Sequence, residues 1–305
     1  MPHFMLSWPD ATYIGFGLAL LGLAFRSRPT VARVAAPLVE AAVLFWLYAL
    51  WQFAGSFTVA GSDGGLQRGW WIWHFERDLF LPSETSVQRP FLPHPVVIHA
   101  FNLYYDILHF PVLIGCLIWV YWRHRADYPR IRTILVVFTA ASLLVQLIPV
   151  APPRLLAGTG LVDTAFRYGE SVYTWGNGAL ETDQYSAMPS VHVGWAIVVA
   201  VAIITVSRSR WRWLAVGYPV LTTLVVVVTA NHFWLDGIVA GLLVVLAVLV
   251  ERGLSAILRP PWRPGRRGQG RPDSTLFGGK RLCDHAVHGE HGREARDQDR
   301  AGAGT

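Results

Sequence analysis

His232 and Asp236 stand four residues apart in His232-Phe233-Trp234-Leu235-Asp236, the spacing that puts two side chains on one face of a helix. An ionised Asp236 that accepts the Nδ1–H of His232 would fix the imidazole tautomer and leave Nε2 to act as nucleophile or base. The same pair has a plainer use as a tether between two helix ends. Pro189-Ser190-Val191-His192 reads as a helix start, with Ser190 as N-cap and His192 two residues in. Backbone N–H groups and the helix dipole bind anions at such a start, although a serine in this place is often only a cap. Pro149-Val150-Ala151-Pro152-Pro153-Arg154 closes an apolar run with three prolines, which no helix continues through. Arg154 then lies just outside that run. Its planar fork suits phosphate oxygens, while snorkelling to an interface is its bland alternative. Two imidazoles, a carboxylate and a guanidinium are a set suited to phosphate.

The elements that must position this set are membrane helices. Hydrophobic residues make up 53% of the 305, charged residues 15%, and mean hydropathy is +0.36, so a soluble domain of this length would lack the polar surface to cover itself. Apolar runs at 12–25, 34–54, 96–122, 131–149, 191–207, 212–230 and 235–251 approach the length that crosses about 30 Å of hydrocarbon. The first is the shortest in strongly apolar residues, which makes six or seven spans. Charge placement selects seven. Arg26, Arg28 and Arg33, then Arg123, Arg125, Arg130 and Arg132, then Arg208, Arg210 and Arg212, and finally the arginine-rich tail make every second connection basic, as cytoplasmic loops are. The expectation is an all-α, polytopic helix bundle with a six-helix core in the cell membrane. Its N-terminus is outside, its C-terminus is cytoplasmic, and the three motifs open on the extracytoplasmic side.

Residues 1–252 read as one membrane domain and 253–305, rich in Gly, Arg, Pro and Asp, as a disordered basic tail. The net charge of +6 is mostly topological arginine and implies no nucleic-acid partner. Cys116 and Cys283 fall in different environments and form no disulfide or metal framework. No cleavable leader is apparent. Residues 65–82 interleave tryptophans with charge and suit a short helix at headgroup level that covers the bundle. Residues 155–188, with Gly158, Asp163, Arg167, Glu170 and Trp175, suit a loop that shapes the substrate. Segment three carries a polar stripe of His99, Asn102, Asp106 and His109. Asp106 within a span needs a partner, and His109 one turn away is the expected one, as a structural pair or as support behind the site. A metal site built from His94, His99, Asp106 and His109 is the less favoured reading, and no metal or other cofactor is expected.

The order of the three motifs resembles the type 2 phosphatidic acid phosphatase superfamily over roughly residues 149–251. That family's signature runs Lys-x6-Arg-Pro, then Pro-Ser-Gly-His, then Ser-Arg-x5-His-x3-Asp. Here no Lys precedes Arg154, Leu155 follows it in place of Pro, Val191 replaces the Gly, and Val226 stands in place of the third-motif Arg. These departures resemble the inositol phosphorylceramide synthase and inositolphosphotransferase branch. Its Pro-Pro-Arg, Met-Pro-Ser-x-His and Asn-His-x-x-x-Asp stand here at Pro152-Pro153-Arg154, Met188–His192 and Asn231–Asp236. The resemblance implies a membrane enzyme acting on a lipid phosphoester through a phosphohistidine. In it His232 attacks, Asp236 orients His232, His192 protonates the leaving oxygen, and Arg154 with Ser190 holds the phosphoryl oxygens. Water or an alcohol such as inositol would resolve the intermediate. Arg77 or Arg167 would supply the cation that the third motif lacks, with Asp106 and His109 as further accessory groups. A polyprenyl diphosphate phosphatase is the rival within the fold, and a non-catalytic lipid-binding or transport bundle the rival outside it. Oligomeric state is not legible.

Overall fold

Apolar runs of membrane-crossing length leave the backbone to satisfy its own hydrogen bonds, and helix is the conformation that does so within one segment. The computed structural model describes residues 6–28, 30–58, 64–168 and 185–258. Helices α1 (Trp8–Arg26) and α2 (Ala32–Thr58) form a hairpin, followed by the shorter α3 (Gly65–Asp78) and α4 (Glu84–Gln88). Helix α5 (Pro95–Leu103) passes through a π-helical turn, Tyr104–Leu108, into α6 (His109–Arg123). Then come α7 (Tyr128–Gln146), α8 (Thr164–Arg167), α9 (Val191–Val206), α10 (Gly217–Val228, entered through a 3-10 stretch from Arg210) and α11 (Trp234–Leu258). Among the described residues there is no strand, only an isolated bridge between Val150 and Ser186.

Each of the seven expected apolar segments falls largely on helix, with a few residues at the C-terminal ends of the fourth, fifth and sixth beyond it. Five stretches, Ala32–Leu50, Pro95–Arg123, Tyr128–Gln146, Arg210–Val228 and Trp234–Leu258, are long and apolar enough to cross a membrane. Helix α9 is shorter, at 16 residues, and α1 is not one of the five. The protein is a polytopic, all-α membrane bundle. Segment three departs from a regular α-helix at its π turn, and α11 runs to Leu258, past the boundary at 252 read from the sequence. Residues 259–305, the greater part of the expected tail and Cys283 among them, lie outside the described residues, as do residues 169–184 of the expected loop.

Helix α9 is apolar on every side, and such a helix belongs inside a bundle. Its residues from Val193 to Ala202 are mostly buried, packed on α7, α10, α11 and the α5–α6 helix. At Gly194 the helices come together so closely that a Cβ would lie 1.8 Å from Cζ of the fully buried Phe138 of α7. One residue on, Trp195 Nε1 donates to Thr139 Oγ1 at 3.1 Å. The opposite end of α7 is held by charge: Arg130 Nε meets Glu251 of α11 at 3.0 Å, and Arg132 meets Glu40 of α2 at 2.5 Å. The basic residues and the histidine motifs therefore sit at opposite ends of the helices that carry them.

Candidate active site

Three segments far apart in sequence meet at one end of the bundle, and apolar neighbours of the functional residues bring them there. Ala151, Ala187 and Phe233 pack with Val150, Leu156 and Ile72 of α3 into a buried cluster. Ala151 precedes Arg154, Ala187 precedes Ser190, and Phe233 follows His232, so burying the cluster fixes all three motifs together. Main-chain bonds set the register: Ala151 N–H to Gly65 O at 3.0 Å, Ala187 N–H to Val150 O at 3.2 Å, and Arg154 N–H to Ala230 O at 3.0 Å. Helix α3 approaches closely because Gly69 lacks a side chain; a Cβ there would lie 2.9 Å from Ala151 O. The α3 segment, expected to be a cover, is thus the element against which the motifs assemble.

His232 follows a tight reversal at the end of α10, where Ala230 takes a positive φ of 57°. Val226 O accepts from both Asn231 N–H, at 3.0 Å, and His232 N–H, at 3.2 Å. His232 Nδ1 lies 2.7 Å from Ala187 O and 3.3 Å from Asp236 Oδ2. A carbonyl only accepts, so Nδ1 carries the proton and Nε2 the lone pair of the neutral ring. The sequence reading gave this task to Asp236 alone; the nearer acceptor is the main chain. Asp236 is fully buried, and its Oδ2 also accepts Phe233 N–H at 2.8 Å. This is the return half of a capping box at the start of α11.

Ser190 caps α9 through a bond from Val193 N–H at 3.4 Å, and its own N–H donates to Asp236 O at 3.1 Å, joining the starts of α9 and α11. The ring of His192 lies 6.1 Å from that of His232 between centroids and stacks on Tyr105 at 4.2 Å. It is also hydrogen-bonded to the Tyr105 main-chain carbonyl, which lies in the π turn. Arg154 is nearly buried, with Nε 3.5 Å from Asp163 Oδ2 and Nη1 bonded to Asn231 Oδ1. Asn231 Nδ2 donates to Thr229 Oγ1 at 2.9 Å, which fixes the amide with its oxygen toward Arg154.

The accessory residues divide. Arg77 is bound to Glu84 and lies over the Trp73 ring at 4.1 Å, whereas Arg167 is exposed at the end of α8. The expected pairing of His109 with Asp106 is not what forms. His109 Nδ1 instead meets Tyr218 OH at 3.2 Å, and its ring stacks on Trp195 and approaches His192 to 4.9 Å. The π turn is the reason, because it breaks the α-helical spacing on which the pairing rests. His99 packs edge-on against Tyr168. Among the described residues no group of three or more His, Cys, Asp or Glu has a metal-holding arrangement. The described part of the 155–188 loop is tied down by Gln88, which donates to Val162 O and Val228 O, each at 2.8 Å, and by Thr164, which donates to Asn102 at 2.9 Å.

Sequence reasoning did not find the roles of Asn231, Asp163 and Tyr105, nor the buried pair Glu76 and Glu84. Asn231 was within reach, since it stands in the motif itself. Val226, in place of the third-motif Arg, is buried among Val193 and Val227, so a cation there would face an apolar cluster. The sequence profile described as the PAP2 superfamily matches residues 70–250. No curated protein and no solved structure matches the chain.

Proposed function

From the premise that this chain belongs to the PAP2 superfamily, we propose that it acts on a membrane lipid phosphoester through a phosphohistidine, as an inositolphosphotransferase-like enzyme. The observation that carries the reading is the imidazole pair, His192 and His232, at 6.1 Å between ring centroids. Reacting atoms sit about 3–3.5 Å apart in near-attack geometry, so one phosphoryl group can touch both rings. His232 Nε2 attacks phosphorus, and the P–O bond to the leaving group breaks. The leaving oxygen takes its proton from His192. Water or an alcohol then attacks the phosphohistidine, gives its proton back to His192, and releases His232. Arg154 supplies cationic contact to the phosphoryl oxygens, steered by Asn231 and Asp163. Asp236 steadies the charge that His232 gains.

A phosphodiester rather than a diphosphate substrate is favoured by the cation count. Arg154 is the arginine of the motif set, with Val226 where the phosphatase pattern has another, so a phosphodiester with its single negative charge suits the site better than a diphosphate. The reactive end faces outward if the basic ends of α7 and α9 are cytoplasmic. The test is to incubate purified protein with radiolabelled phosphatidylinositol, phosphatidate or polyprenyl diphosphate, with and without myo-inositol, and to separate products by thin-layer chromatography. Inositol-dependent headgroup transfer supports the reading. Release of inorganic phosphate from polyprenyl diphosphate alone would replace it with the rival, and no turnover of any phosphoester would remove it.

A further inference from the structure

Helix α3 buries more than apolar surface against the histidine turn. Glu76 of α3 and Glu84 of α4 are both fully buried, and their carboxyl groups are within hydrogen-bonding reach of each other. Glu76 Oε1 accepts Leu235 N–H at 2.7 Å, inside the turn that joins His232 to Asp236. Glu84 Oε2 is bound by Arg77. The other two oxygens, Glu76 Oε2 and Glu84 Oε1, are buried with no donor among the described residues. Two buried carboxyl oxygens facing each other are stable when one carries a proton, and repel when neither does.

We propose that Glu76 is a positioning residue for the nucleophile: one proton held between Glu76 and Glu84 keeps Glu76 on Leu235 N–H and so fixes the His232–Asp236 turn. This rests on His232 acting as proposed above. The titratable and charged groups that face Glu76 are Glu84 from α4, with Arg77 on it, and Asp236 from α11. Burial, then the hydrogen bond to Glu84 and its charge, hold the Glu76 proton on to about 9; the Leu235 N–H opposes this and Asp236 adds to it. The folded value stands above the ordinary 4.5. The contribution of Glu76 to stability is therefore full below about 4.5 and is lost as pH rises toward about 9. Above that, the proton leaves to solvent, two carboxylates oppose each other, and the turn loses its anchor.

The experiment uses full-length protein in lipid–detergent micelles, with fluorescent phosphatidate and phosphatidylinositol as probes, from neutral pH to about 10. Wild-type kcat should fall with a midpoint near 9. Glu76→Gln, whose amide still accepts from Leu235 N–H and donates to Glu84, should keep most of the neutral-pH kcat and lose that fall. Glu76→Ala should lower kcat about tenfold or more at every pH, as a small misplacement of reacting groups does, with KM little changed. The same alkaline fall in Glu76→Gln, or wild-type kcat in Glu76→Ala, overturns the proposal. Thermal unfolding provides a readout that needs no substrate: wild type should lose Tm toward high pH and Glu76→Gln should not. A wild-type Tm that ignores pH overturns the shared proton. A pH-dependent Tm in a protein that turns over neither probe instead overturns the reading of His232, and the positioning role with it.

Discussion

At His232 the strongest constraint is one that no side-chain substitution removes. The Ala187 carbonyl holds Nδ1–H at 2.7 Å, closer than the carboxylate at 3.3 Å. Losing the charge on Asp236 therefore leaves the tautomer in place. Asp236→Asn should cost far less than the roughly 10⁴-fold seen when a catalytic histidine takes the wrong tautomer. Asp236→Ala should cost more, since it also strips the cap from Phe233 N–H, worth about 1 kcal/mol. His232→Ala and His192→Ala should each remove at least about two orders of magnitude, the size of a general acid's contribution, with fold retained. Single-turnover kinetics on the four purified variants checks the ranking; near-normal turnover in either histidine variant would sink the mechanism.

Among the elements, α9 packs closely on α7 at Gly194. Gly194→Ala pushes a methyl into Phe138, and α7 and α9 must separate or the ring must turn. Overpacking of this kind costs about 1–3 kcal/mol, so thermal unfolding in detergent should show a lowered Tm that Phe138→Leu in the same chain partly restores. A Gly194→Ala protein with wild-type Tm would mean the helices do not meet as described. The contrast between α9 and α3 shows what was legible beforehand. Helix α9 announces itself by an unbroken apolar run and a Ser190 cap, and both signals are local. Helix α3 reads as an interfacial cover because its decisive contacts, Gly69 to Ala151 and Glu76 to Leu235, join residues remote in sequence. The π turn at Tyr104–Leu108 left no mark either, as no Gly or Pro punctuates it. It undid the pairing of His109 with Asp106 inferred from α-helical spacing, and aligned Tyr105 with His192.

For the whole molecule, the placement of charge at one end and chemistry at the other yields an orientation that labelling can check. With native cysteines removed, Phe166→Cys, exposed beside the site, should react with a membrane-impermeant maleimide on intact cells. Ala126→Cys, between the arginines at the start of α7, should react only after lysis. The reverse pattern would put the chemistry on the cytoplasmic face. The α1–α2 hairpin stands apart from this arrangement. It lies outside the matched residues 70–250, closes on itself where Gly15 meets Trp46 and Gly22 meets Val39, and joins the bundle through Leu44 and through Glu40, which holds Arg132 and Tyr128. During synthesis it leaves the ribosome before any catalytic helix exists, so its internal packing can finish early and its docking on α7 is a separate, later event. Residues 1–58 and 64–305 expressed as two chains should copurify and be active, and Glu40→Ala should loosen the association while leaving each part in the membrane.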